Sequence, residues 1–152
     1  TLDVRYKNWD FNIFGQGVFG NQIYNATRRY DLPTSNMAAT ALNRWTGEGS
    51  TNEHPRLTFD DQNKNFARSS DLYVEDGSFF RIKALQLGYN LPSTLADKIG
   101  LRKMRIYYSG TNVLTFTKYS GFDPEIGSGF GVDRGLYPQA RVNSIGLNIT
   151  FK

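Results

Sequence analysis

Strand-period alternation, a heavy load of aromatic residues and glycine, and links of very unequal length predict an all-β, antiparallel chain. Of the 152 residues, nine are Tyr, eleven Phe and two Trp, with 15 Gly in a polar background. That mixture suits pleated strands joined by large loops. The length is enough for one domain, and nothing in the sequence marks a boundary between two. The absence of Cys excludes disulfides and thiolate-bound metals, and a single histidine, His54, leaves little for an imidazole site. The net charge of +4 comes from 18 basic residues scattered among 14 acidic ones, so it is no signal for nucleic acid.

The first ten residues, TLDVRYKNWD, contain neither an initiator Met nor a signal peptide, so the sequence reads as cut from something longer. No apolar run is long enough for a membrane helix, whereas a membrane strand needs only about 9 to 11 alternating residues.

The elements follow in order. In TLDVRY, Leu2, Val4 and Tyr6 share one face; a short KN turn then leads into WDFNIFGQGVFG, where Trp9, Phe11, Ile13 and Phe19 share a face with Gly15 and Gly17. This is a hairpin pattern. Residues 21–78 lose the alternation and carry turn-rich words, with one short helix expected over residues 35–45, ended by Gly47. A loop of that length is usually functional. Alternation resumes in FFRIKALQLGYNLP, but the apolar parity changes near Ala84, which implies a bulge or a change of environment. STLADKIG reads as a short helix with Ser93 as N-cap and Gly100 past its end. Two more strands, KMRIYYSGTNVLTFTK and VNSIGLNITFK, are separated by the irregular stretch KYSGFDPEIGSGFGVDRGLYPQAR.

Five strands are thus joined by links that alternate short, long, short, long. Outer-membrane barrels have this asymmetry, with short periplasmic turns and long extracellular loops. Tyr6, Trp9 and Tyr89 lie beside the short links and Phe19 and Phe116 near the long ones, as two aromatic girdles require. The pattern by itself fits a soluble β-sandwich equally well, for instance a carbohydrate-binding module. Nucleic-acid binding through Arg102, Lys103, Arg105 and Tyr107 is a further alternative.

The last strand, SIGLNITF, places Ser144, Gly146, Ile149 and Phe151 as in the C-terminal signal read by the barrel-assembly machinery, which it resembles; Lys152 departs from the usual terminal aromatic. Three longer stretches, LYVEDGSFFRIKALQLGYNLP, LRKMRIYYSGTNVLTFTKYSGFDPEIG and DRGLYPQARVNSIGLNITF, resemble the C-terminal segment of the SusC/RagA family of TonB-linked outer-membrane transporters of Bacteroidetes. YKNWDFNIFGQGVFG is similar to an earlier barrel hairpin of that family, and residues 21–68 are the least family-like part. The specific words are residues 74–77, 119–125 and 137–141.

The resemblance implies a transmembrane β-barrel of about 22 strands around an N-terminal plug, of which residues 1–152 would be the last five strands or so, with no plug. It implies import of oligosaccharides or peptides, a SusD-like surface lipoprotein as lid, energy from TonB through a region absent here, and no enzymatic activity, cofactor or nucleic acid. Tyr6, Trp9, Phe11, Ile13, Tyr89 and Leu147 would face lipid or form girdles. Trp45, Tyr119, Phe122 and Phe130 are candidates for contact with substrate or lid, although loop aromatics more often stabilise their own loop. Asp123, Glu125 and Asp133 are oxygen donors of the kind Ca²⁺ takes, but without an EF-hand pattern they read better as loop-capping acids. Asp60, Asp61, Asp71, Glu75 and Asp76 read as turn and surface acids, and no two carboxylates are placed across a cleft for glycoside hydrolysis. GSGFGVDRG lacks the spacing of a phosphate loop.

Overall fold

The computed structural model describes residues 1–28, 36–37, 39–125 and 130–152. The chain divides into two compact units: residues 1–21, 77–118 and 138–152 form one, and residues 22–76 and 119–137 the other. The sequence shows no boundary because the second unit is assembled from the two long links.

The first unit is one antiparallel sheet. Its strands are β1 (Leu2–Tyr6), β2 (Trp9–Val18), β5 (Phe79–Asn90), β6 (Leu101–Thr117) and β8 (Val142–Phe151), paired in the order β1-β2-β5-β6-β8. These are the five strands that alternation predicts, each beside its neighbour in the meander. Directly paired residues share a face. Val4, Phe11, Leu87, Tyr108 and Ile145 form one row, and Trp9, Tyr89, Ile106 and Leu147 the next. The opposite face carries Arg5, Asp10, Gly88, Tyr107 and Gly146 in one row and Asp3, Asn12, Gln86, Ser109 and Ser144 in another.

The parity change in β5 is resolved by a bulge. Phe14 pairs with Ala84 but Gly15 pairs with Ile82, so Lys83 is the extra residue, and β6 shifts register at the same level. One inserted residue turns the strand by one face. Phe80 and Ile82 therefore join Leu85, Leu87 and Tyr89 on the apolar side. On β6 the shift is taken up beside Asn112, which has a positive φ of 51°, a conformation Asn tolerates better than most residues. Asn112 also donates its side-chain N–H to the carbonyl of Ala140 at 3.0 Å.

Glycines sit where a neighbour's side chain must cross them. Asp10 on β2 and Arg105 on β6 form a two-point ion pair across the middle strand, Nε to Oδ1 at 3.1 Å and Nη2 to Oδ2 at 2.5 Å. They lie where a Cβ on Gly88 would stand, so any side chain at 88 would displace the pair. Tyr107 covers Gly146 in the same way, and the Phe80 ring covers Gly15, 2.6 Å from where its Cβ would be.

The link between β5 and β6 contains α1 (Ser93–Lys98), whose N-cap is Pro92. Ser93 is therefore the first helical residue and not the cap expected from sequence, since the preceding Pro already fixes the backbone leading into the helix. Gly100 follows the helix with φ of 76°, as a left-handed stop requires.

The second unit has its own small sheet, in the order β4-β3-β7: β3 (Gln22–Asn25), β4 (Val74–Asp76) and β7 (Val132–Asp133). β3 runs antiparallel to β4 and parallel to β7. Ala41, Phe66 and Tyr73 form a buried cluster, with Tyr24, Leu57 and Leu72 packed against it. The helix expected over residues 35–45 is a 3₁₀ turn, Ala39–Asn43; positions 35 and 38 of that expectation lie outside the described residues.

The bulge predicts a contrast between two deletions. Removing Lys83 should leave the faces of both halves of β5 in place and preserve most of the heat-modifiable, folded form of the full-length protein on electrophoresis. Removing Gln86, inside the regular ladder, should abolish that form, because a one-residue slip turns apolar residues to the polar face.

Candidate functional site

A carboxylate that the sequence marks as a surface acid ties the second unit together. Glu75, on β4, keeps only 14% of its side chain exposed. Its Oε1 accepts from Asn25 Nδ2 at 3.0 Å, from Arg28 Nη1 at 3.1 Å and from the Ser120 hydroxyl at 2.8 Å. Oε2 accepts from the Ser120 backbone N–H at 2.9 Å. The donors belong to both long links, so one carboxylate joins chain segments about a hundred residues apart. Asn25, 1% exposed, completes the knot by accepting from the Thr27 N–H at 3.1 Å and its hydroxyl at 2.5 Å. Burial opposes the charge on Glu75, but the Ser120, Asn25 and Arg28 donors outweigh it and hold the carboxyl below its ordinary value of 4.5.

Tyr119 belongs to the same knot. It is 6% exposed, its hydroxyl donates to Asp133 Oδ2 at 2.6 Å, and its ring lies over Gly121. Desolvation, then the Asp133 carboxylate, push its hydroxyl pKa up, so it stays a neutral donor. Of the four loop aromatics proposed for contact with a ligand or lid, Tyr119 is thus taken up by the interior of its own unit. Phe122 and Phe130 are exposed at 70% and 97%, and Trp45 at 40%.

Trp45 borders a cleft of about 780 Å³ lined also by Asn52, Arg56, Asn65 and Asp71. Its walls are joined where the Trp45 N–H donates to the His54 carbonyl at 2.9 Å.

The acids considered for Ca²⁺ are engaged locally. Asp133 Oδ1 accepts from the Gly135 N–H at 2.8 Å, and Asp123 Oδ1 from the Glu125 N–H at 3.0 Å, both two residues on. This is Asx-turn chemistry. Among the described residues no three metal-binding side chains come together. Asp61 accepts from the Phe66 N–H at 3.0 Å and caps its own loop.

In the first unit, Tyr6, Trp9, Phe11, Ile13, Tyr89 and Leu147 all fall on the apolar face. The Trp9 and Tyr89 rings are 4.7 Å apart between centroids. Tyr108, also on that face, donates its hydroxyl to Asn143 Oδ1 at 2.6 Å. Ser144 and Gly146 lie on the polar face and Ile149 and Phe151 on the apolar one.

No protein-family model matches the chain. Curated relatives match nearly all of it. TonB-dependent receptor P3 of Formosa agariphila is 38% identical over 160 residues, covering 98% of this chain and 16% of the relative. TonB-dependent receptor SusC of Bacteroides thetaiotaomicron is 27% identical over 155 residues, covering 99% of this chain and 14% of the relative. Among solved structures, the RagAB peptide transporter superposes with a TM-score of 0.74 at 26% identity, over 95% of this chain and 16% of that one. The RagAB peptide importer in its open-open state gives 0.70 at 26% identity, over 96% of this chain and 16% of that one. Sheet and relatives together define the class, the TonB-dependent receptors of the bacterial outer membrane. Within it, the chain belongs to the SusC/RagA family. It spans about a sixth of the length of the curated relatives it matches.

The knot yields two predictions. Glu75→Ala should destabilise the second unit by about 2 to 3 kcal/mol, because it leaves buried donors without their acceptor; hydrogen exchange at residues 22–28 and 119–125 reads this. The contribution of Glu75 has the sign of a depressed acid: present above about pH 4.5 and lost as pH falls through the lower folded-state value. Tyr119→Phe should cost about 1 to 2 kcal/mol by the same readout, because Asp133 loses a buried donor.

Proposed function

We propose that residues 1–152 form the last five or so strands of a barrel of about 22 strands, in a receptor that imports oligosaccharides or peptides across the outer membrane. In this reading a plug fills the barrel, a SusD-like lipoprotein covers it from outside, and TonB supplies energy through a region outside this segment. The receptor binds and translocates, and it catalyses no reaction.

The observation that carries the reading is the one-sided apolar face of the five-stranded sheet, running unbroken past the bulge while β1 and β8 each have one neighbour. An exposed apolar face with two open edges is a liability in water. Further strands at both edges and lipid against the face remove it.

The dimensions agree. The Trp9–Tyr89 row and the Gly17–Phe80–Phe116 row are eight residues apart on β2. At about 3.3 Å per residue that is about 26 Å along the strand, or about 20 Å once a tilt near 40° is allowed for, within about 5 Å of the roughly 25 Å apolar band of such barrels. A soluble sandwich would need a second sheet over the apolar face. Among the described residues of the first unit there is one sheet only.

The long links would then lie outside the cell, where irregular backbone is away from lipid. Exposed Trp45, Phe122 and Phe130 would be available to substrate or lid. The names of the RagAB structures favour peptides for those proteins. The substrate of this chain follows from uptake assays on the full-length receptor, with oligosaccharide and peptide pools in parallel.

A mid-bilayer Arg on a barrel strand costs about 2 to 4 kcal/mol. Ile13 lies midway between the two rows, so Ile13→Arg should sharply reduce folded, heat-modifiable receptor in the outer membrane, whereas Leu147→Arg, in the Trp9–Tyr89 row near the interface where the cost is about 0 to 1 kcal/mol, should reduce it less. Wild-type levels of assembled receptor for both variants would contradict the lipid-facing assignment.

A further inference from the structure

The link between β5 and β6 holds a helix with two unlike flanks. Ala96 is fully buried, and the residues either side of it around the helix differ in chemistry. Leu95, and Ile99 at the C-cap one turn on, are 46% and 59% exposed and lie towards one flank. Ser93 and Asp97, four apart, form the other. Asp97 Oδ1 pairs with Lys152 Nζ at 2.9 Å. Lys152 stands one residue past β8, where the parity of Asn148 and Thr150 would carry it to the polar side of the sheet, and we read the ion pair as drawing the Asp97 flank to that side. On that reading Leu95 and Ile99 are left to the apolar side, at the end of the face where Leu101 pairs with Phe151. Lys98, exposed, lies two positions on from buried Ala96, roughly opposite it around the helix, and borders that flank.

The same end of the sheet has the marks of a membrane boundary. The Asn90 N–H donates to the Asn8 carbonyl at 2.8 Å, so the β1–β2 turn and the start of the helical link are joined. Lys7 Nζ lies 5.2 Å from the centre of the Tyr6 ring, beside the Trp9–Tyr89 pair. Amphipathic aromatics flanked by lysines are suited to the headgroup level.

We propose that α1 is an interfacial foot: Leu95 and Ile99 enter the boundary between headgroups and acyl chains of the periplasmic leaflet, and Lys98 meets lipid phosphate. The occupant is phospholipid because the flank is continuous with the apolar face and bordered by a cation, the combination that seats amphipathic helices in an interface. A segment of the same polypeptide reaching from inside the barrel would meet the opposite, Asp97 flank. The inference rests on the lipid-facing reading of the sheet.

The test uses the full-length receptor in nanodiscs of phosphatidylethanolamine and phosphatidylglycerol, with a nitroxide attached in turn at Leu95→Cys, Ile99→Cys, Ser93→Cys and Leu147→Cys. Collision with oxygen, relative to collision with a water-soluble nickel chelate, reports depth. The ratio should report lipid at Leu147, Leu95 and Ile99, several-fold above that at Ser93, and should be aqueous at Ser93. An aqueous ratio at Leu147 would overturn the lipid face and the foot with it. A lipid ratio at Leu147 with aqueous values at Leu95 and Ile99 would overturn the foot alone. So would shielding of both from either reagent, which would mean that protein covers them.

Discussion

One constraint organises the sheet: an apolar face has to continue through five strands, while charged and amide side chains collect on the opposite face. Side-chain period alone would break that face halfway along β5, where the apolar parity changes. The extra residue at Lys83 and the matching shift on β6 turn the break into a continuous surface. Glycine serves the same constraint from the other side. Gly88 leaves room for Asp10 and Arg105 to meet across a strand, and Gly146 leaves room for Tyr107, so the polar face is filled by side chains reaching sideways.

The long links solve a different problem. They are too polar to build a large core, and their buried cluster is small. Instead they are held by a few fully engaged polar groups, Glu75 and Asn25 on one side and Tyr119 with Asp133 on the other. Low-dielectric polar knots of this kind stabilise only when every member is satisfied. That makes them specific as well as sensitive: a single lost acceptor strands several donors at once. Phe122 and Phe130 are exposed close in sequence to Ser120 and Asp133, two groups that the knot engages.

Much of the first unit was legible in the sequence because strand faces are written at period two. The five strands, the hairpin turn, the alternation of short and long links and the bulge near Ala84 all follow from local patterns. The second unit was not legible, for a physical reason. β3 and β7 are four and two residues long and pair in parallel across more than a hundred positions, which leaves no periodicity to read. The same distance hid Glu75. Its neighbours mark a turn acid, and only its spatial partners Asn25, Arg28 and Ser120 make it a buried acceptor. Tyr119 was visible as a loop aromatic, but its burial depends on Asp133, and no local signal announces that contact. The words VEDG and YSGFDPE did carry a trace of the knot, since Glu75 and Ser120, one from each, are hydrogen-bonded partners.

The central claim is that this sheet is a stretch of membrane wall. A cryo-EM map of the full-length receptor in lipid nanodiscs tests it most directly. The account predicts β1 and β8 hydrogen-bonded to further strands on their outer edges, with the lipid belt against the rows of Trp9, Phe11 and Leu147. A second protein sheet packed on those rows, with either edge left open to water, would contradict it.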